Sequence, residues 1–273
     1  MNTAVFICTH GRPDKQYTYH ALREAGYTGN IIFIVDNEDF TADGLCSRYV
    51  NKDNMCDIHV FDKQYFFEHS DRGTNENQRK CILYAKCCCE DRAKYLGLDA
   101  FIIADDDITG FRYRYDDEGK LKSKVINKDM DIIIQSYYEL MLESGISMSS
   151  FGDVRAYIGG TVKIGRIPYN FVFRNTYYAV EWKASMYEDT VTPLGVKSFT
   201  LQLPFIQLIM KEVDAQEAGG MSDTYKNMPV YKRAFAAKIF YPTCISIANN
   251  KVGFKLIKDN AFAKLVSSSC KKV

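Results

Sequence analysis

The first hundred residues alternate short apolar runs with segments of helical periodicity, and this alternation constrains the fold more than any other feature of the chain. AVFICT (4–9), IIFIVD (31–36), IHVF (58–61) and AFIIA (100–104) are each flanked by polar or glycine-containing stretches and read as buried strands. Between the first two, residues 14–26 place Thr18, Ala21, Leu22 and Ala25 on one helical face, with Gly26 as the stop. Over residues 77–97, Ile82, Ala85, Cys89, Ala93 and Leu96 recur at helical spacing up to Gly97. Such a βαβαβ order implies an α/β fold with a largely parallel sheet. Ligands of these sheets collect at the carboxyl ends of the strands. Residues 9–13, 36–39 and 105–107 all sit at expected strand ends and so can share one rim.

After residue 125 the pattern loosens. A helix is expected over 129–145, followed by strand-like runs at 156–162, 170–180 and 199–210. Tyr (19) and Phe (17) are dense here, as suits a wall around an organic ligand. The 273 residues read as one domain: a nucleotide-type half over 1–125, and a more irregular acceptor half over 126–273. No stretch is long and apolar enough to span a bilayer. The N-terminus has no basic region ahead of its apolar run, so a cytoplasmic chain is expected. Nine cysteines, three of them consecutive at 87–89 and none in a C-x-x-C pair, argue against a structural zinc site and read as reduced, mostly buried thiols. Charge is divided unevenly. Residues 226–273 carry about +9 of a net +1, leaving about −8 on the rest, and a basic tail of this kind suits an anionic partner.

The fourth strand runs directly into Asp105, Asp106 and Asp107. Three carboxylates at a strand end repel one another unless a cation joins them, and hard oxygen ligands suit Mg²⁺ or Mn²⁺ bound against a diphosphate. THGRP sets His10 and Arg12 at the first strand end, where a phosphate or pyrimidine can dock. Arg79 and Lys80 fall at an expected helix start, whose dipole also favours anions. Far along the chain, MYEDT offers Glu188 and Asp189 as carboxylates able to act as a general base toward a hydroxyl.

Together these features resemble the GT-A nucleotide-sugar glycosyltransferases. More narrowly, THGRP…LREAGYTGNIIFIVDNED and EAGGMSDTY…VYKRAFAAKIFYPTCISI are similar to the TET-associated glycosyltransferase family, found mainly in bacteriophages, over residues 3 to about 247. The resemblance implies a GT-A-like fold with a mostly parallel central sheet and flanking helices. It also implies a UDP-sugar donor, a Mn²⁺ or Mg²⁺ ion, and an acceptor that is DNA carrying a hydroxylated pyrimidine. On that basis Asp107 would hold the metal, and Asp105 would share it or contact sugar or ribose, with Asp106 between them at the donor site. Thr9, His10, Arg12 and Asp36 would line the nucleotide and Arg79 the diphosphate. Asp189, with Glu188 beside it, would be the base of an inverting transfer. One departure stands out: the late histidine that usually completes the metal site is missing, since the four histidines are 10, 20, 59 and 69. Water, or a side chain near Asn249 or Lys255, would take its place. Tyr225 and Tyr231 are candidates either for stacking on a flipped base or for the core. Two other readings stay open at this point: a glycan, protein or small-molecule acceptor, and a non-catalytic nucleotide-binding module.

Overall fold

The computed structural model describes residues 1–41, 57–74, 79–152, 163–164, 167–196, 200–210, 228–248 and 251–254. The four apolar runs form β1 (Thr3–Cys8), β2 (Ile31–Asp36), β3 (Asp57–Phe61) and β4 (Ala100–Asp105), all mutually parallel. Helices α1 (Tyr17–Glu24), α2 (Asn37–Thr41), α3 (Lys63–His69) and α4 (Leu83–Tyr95) connect them. Alternation along each strand feeds two apolar layers. Val5, Ile7, Phe33, Val35, Ile102 and Ala104 pack with Leu22 of α1 on one face. Phe6, Cys8, Ile34, Phe101 and Ile103 pack with Leu83, Tyr84, Cys88 and Cys89 of α4 on the other. Coverage on both sides explains why β1, β2 and β4 read as continuous apolar runs, while β3 at the sheet border is partly exposed.

The chain then adds a hairpin, β5 (Ile108–Asp117) and β6 (Lys120–Val125), followed by α5 (Met130–Ser144), β7 (Met148–Gly152), β8 (Lys163–Ile164) and β9 (Phe171–Asn175). The remaining elements are α6 (Glu188–Gly195), β10 (Thr200–Met210), α7 (Val230–Phe240), β11 (Ile245–Ala248) and β12 (Lys251–Phe254). The main sheet has the order β3-β2-β1-β4-β9-β7-β10-β5-β6, with β8 paired to β10. From β9 onward most pairings are antiparallel, so the sheet is mixed. Phe111, Phe151, Phe171 and Phe173 stack with Tyr137 of α5 to fill this half. The strand-like run at 156–162 lies outside the described residues.

Two features position the site. From β1 the chain winds outward to β2 and β3, then crosses back to place β4 on β1's other side, so strand order reverses between β1 and β4. A crevice opens outside the carboxyl ends of strands at such a reversal. In register, Cys8 lies opposite Asp105, which puts Thr9 and the Asp run side by side at that crevice.

Gly26 closes α1 at φ +90°, and a Cβ there would lie 2.3 Å from the Lys128 Cα, ahead of α5. Gly26→Ala therefore meets both a left-handed backbone and a backbone clash. It is expected to lower stability by more than about 1 kcal/mol, read as a lower denaturant midpoint at unchanged slope.

Candidate functional site

Thr9, His10, Arg12, Asp36, Arg79, Asp105, Asp106, Asp107, Glu188 and Asp189 all line one cleft of about 540 Å³ at the β1–β4 crevice. Each side chain reaches it by a local route. Asp106, buried, is held by the Thr9 hydroxyl at 2.7 Å and by Arg12 Nη1 at 3.0 Å. Gln16 ties the same turn together by donating to Thr9 Oγ1 and to the Arg12 carbonyl. Asp106 is thus the anchor of the run, while Asp105 and Asp107 flank it. Asp107 Oδ1 is buried and has no hydrogen-bond partner among the described residues.

On the β2 side Asp36 is fully engaged. Its Oδ1 accepts from the backbone N–H groups of Glu38 and Asp39, which starts α2, and its Oδ2 meets His10 Nδ1 at 2.8 Å and Lys63 Nζ at 3.4 Å. Burial works against its charge, but the His10 hydrogen bond and Lys63 outweigh it and hold the carboxyl at about 2. Asp36 therefore orients His10 and Lys63 toward the cleft. Arg79 departs from expectation in its setting. Helix α4 begins at Leu83, so Arg79 and Lys80 precede the helix and gain nothing from its first turn. Arg79 lies over the Phe67 ring and bonds Glu38 and Gln64, still on the cleft wall.

Across the cleft, Glu188 and Asp189 occupy the first turn of α6. Glu188 Oε1 receives Lys86 Nζ at 2.7 Å. Burial and the adjoining Glu188 push the Asp189 carboxyl up to about 6, with Lys86 acting the other way. Burial pushes Asp105 up to about 8; Lys86 opposes that rise, and Asp107 and Asp106 add to it.

These two shifts predict a pH dependence for the free protein. Both groups bind a proton more tightly folded than unfolded, so the stability they confer is complete below about pH 3.8 and drains away as pH climbs through 6 and then 8. In chelator and without donor, the thermal midpoint is expected to fall steadily from pH 5 to pH 8.5. A flat profile would show that the two carboxylates ionise freely.

Sequence reasoning did not find Lys63, Lys86 or the Glu90–Arg174 pair. Lys86 is buried on α4 above the Trp182 ring, 4.8 Å from Nζ to centroid. Glu90, one turn further along the helix, takes the buried guanidinium of Arg174 through 2.7 and 3.2 Å contacts, and also accepts from the Trp182 indole at 3.0 Å. The available signal was Lys86 and Glu90 falling at helical spacing in line with Leu83 and Ala93. Tyr231 is exposed on α7 rather than in the core. Tyr225, Asn249, Lys255 and the basic tail beyond it lie outside the described residues.

The sequence profile of the TET-associated glycosyltransferases matches residues 3–220. The chain belongs to the TET-associated glycosyltransferase family. Its mixed α/β sheet with flanking helices agrees with the α/β fold expected from the sequence, with more antiparallel pairing beyond β4 than a mostly parallel sheet would have. Among solved structures, this TET-associated glycosyltransferase is similar to residues 1–349 of S. aureus TarS, at 9% identity over 95% of this chain and 98% of that one, TM-score 0.41. The same TarS segment in complex with UDP-GlcNAc matches at 12% identity over 83% and 64%, TM-score 0.38. HddC from Yersinia pseudotuberculosis matches at 16% identity over 83% and 97%, TM-score 0.42. Against a longer TarS structure the chain spans 36% of that protein's length. No curated protein sequence matches it.

Proposed function

We propose that this chain transfers a sugar from a UDP-sugar to the hydroxyl of a modified pyrimidine in DNA: 5-hydroxymethylcytosine, 5-hydroxymethyluracil or 5-hydroxycytosine. One observation carries the reading. The Asp run of β4 and the Glu188–Asp189 pair of α6, far apart in sequence, face one cleft whose other walls carry Arg12, Lys63 and Arg79. A grip for a diphosphate and a separate carboxylate near neutrality are the two components that glycosyl transfer requires.

In this reading Asp189 takes the proton of the acceptor hydroxyl as that oxygen bonds to the anomeric carbon. The anomeric carbon–oxygen bond to the diphosphate breaks, and its electron pair leaves with UDP. Attack from the face opposite the leaving group gives inversion. Arg12 and Arg79 stabilise the charge that builds on the diphosphate, and the His10 edge fixed by Asp36 meets the nucleotide. A base within a duplex cannot reach the cleft, so the acceptor enters flipped or single-stranded. The modified-DNA acceptor rests on the family and on the basic C-terminal segment.

The donor set at the β4 tip consists of oxygens, and the unpartnered Asp107 Oδ1 fits Mn²⁺ or Mg²⁺. Asp107 and Asp105 would hold the ion. No group of three His, Cys, Asp or Glu able to hold a metal occurs among the described residues, so the diphosphate would supply the remaining ligands. When bound, the ion neutralises charge on the leaving group.

The test is incubation with labelled UDP-sugars and DNA bearing each hydroxylated base, followed by nucleoside mass spectrometry. A glycosylated nucleoside from modified DNA and none from unmodified DNA is expected. Transfer only to glycans, peptides or small molecules would move the acceptor elsewhere, and absence of both transfer and donor hydrolysis would overturn the enzymatic reading.

A further inference from the structure

The transfer just described makes no use of Lys86, although this cation of the cleft is as deeply enclosed as Lys63. Its residue is 5% exposed, its Nζ sits 2.7 Å from Glu188 Oε1, and the two residues are 102 positions apart in sequence. Trp182 backs the ammonium and is itself fixed by its bond to Glu90. An ammonium removed from water requires counter-charge, and here carboxylates of both acidic clusters supply it: Glu188 in contact, with Asp189 and Asp105 acting through space. Glu188 is occupied as a result. Asp189, the next residue, accepts among the described residues only from its neighbour Thr190, at 3.3 Å.

We infer that Lys86 is a positioning residue for sugar transfer: it draws Glu188 into a buried ion pair and leaves Asp189 as the carboxylate open to the acceptor's proton. The inference rests on reading Asp189 as the base. The groups facing Asp189 are Glu188 beside it, Lys86 from α4 and Tyr187 at the helix start, with Arg233 of α7 behind Tyr187; Asp105 of β4 acts on Lys86 and Glu188. With Lys86 present, its charge offsets part of the repulsion that Glu188 exerts on Asp189. Without it, Asp189 must ionise beside an uncompensated anion.

Lys86→Met keeps the stem and removes the charge. The acidic limb of kcat/KM is expected to move up by about one pH unit or more. For a limb that moves from about 6 to about 7, kcat/KM should fall about twofold at pH 7 and about tenfold at pH 5, and recover toward pH 9, with donor KM little changed. Lys86→Arg should keep the wild-type limb. Glu188→Gln removes the anion and should displace the limb the other way, which supplies a second reading if Lys86→Met does not fold. Carbon-13 NMR of the Asp189 carboxyl, assigned with Asp189→Asn, follows the same midpoint without catalysis. If the wild type proves inactive toward every donor, the proposed function fails while the NMR midpoints still decide the role of Lys86. An Asp189 midpoint that stays put in both variants, or a loss of rate in Lys86→Met that is equal at every pH, would overturn the inference.

Discussion

Asp189→Asn is expected to lower kcat by about 10²–10⁴-fold while leaving the KM for donor near its original value. The substitution preserves shape but removes the one function assigned to the side chain, which is to take a proton. In the proposed reading donor contacts come from the β1 and β4 ends, on the other wall of the cleft, so binding of the nucleotide should be spared. Stability should hold or rise near pH 8, because the native carboxyl is raised to about 6 and its ionised form is disfavoured by burial and by Glu188. A neutral amide removes that conflict. The measurement is steady-state UDP release with modified DNA, alongside a thermal melt. Turnover within tenfold of wild type would assign the base to another group.

Glu90→Ala is expected to cost about 3–5 kcal/mol of folding stability, a drop in melting midpoint on the order of 10 °C. The Arg174 side chain is fully enclosed, and its charge is met by Glu90, with carbonyls of Ser147 and Tyr178 taking further N–H groups. Removing Glu90 strands that guanidinium, and the indole N–H of Trp182 loses its acceptor as well. The pair joins α4 to β9, so the damage reaches the sheet at the strand next to β4. Glu90→Gln, which can still accept hydrogen bonds, should cost less. Denaturant melts of the two variants separate the charge from the hydrogen bonds; equal and small losses would show that water reaches Arg174.

The same residues show how far sequence carries the structure. Strands β1, β2 and β4 were legible because layers covered on both faces demand unbroken apolar runs, and the short apolar run of β3 was read although that border strand is partly exposed. The sharing of one rim followed from where those runs end. The β5–β6 hairpin was not recognised, because FRYRYDD and KLKSKV are strongly polar and present much of their length to solvent. Its marker was the Glu118–Gly119 turn, both residues at positive φ, between alternating segments. On α4, apolar periodicity picked Ile82, Ala85, Cys89, Ala93 and Leu96, whereas the buried set is Leu83, Tyr84, Lys86, Cys88, Cys89, Glu90 and Ala93. The helix meets the sheet on one side and Trp182 with α6 on another, so its covered surface is broad and includes two charges. A hydrophobic template passes over charged residues that are buried by pairing, and both partners here come from distant sequence.

Among the described residues β6 forms one border of the main sheet, paired only with β5, and Lys120, Lys122 and Lys124 alternate along it. Open strands of this kind invite a neighbouring molecule to zip on and seed fibrils, and a row of ammonium groups makes that approach repulsive. The lysines of β6 therefore oppose edge-to-edge pairing at this margin. That protection weakens as salt screens the fringe.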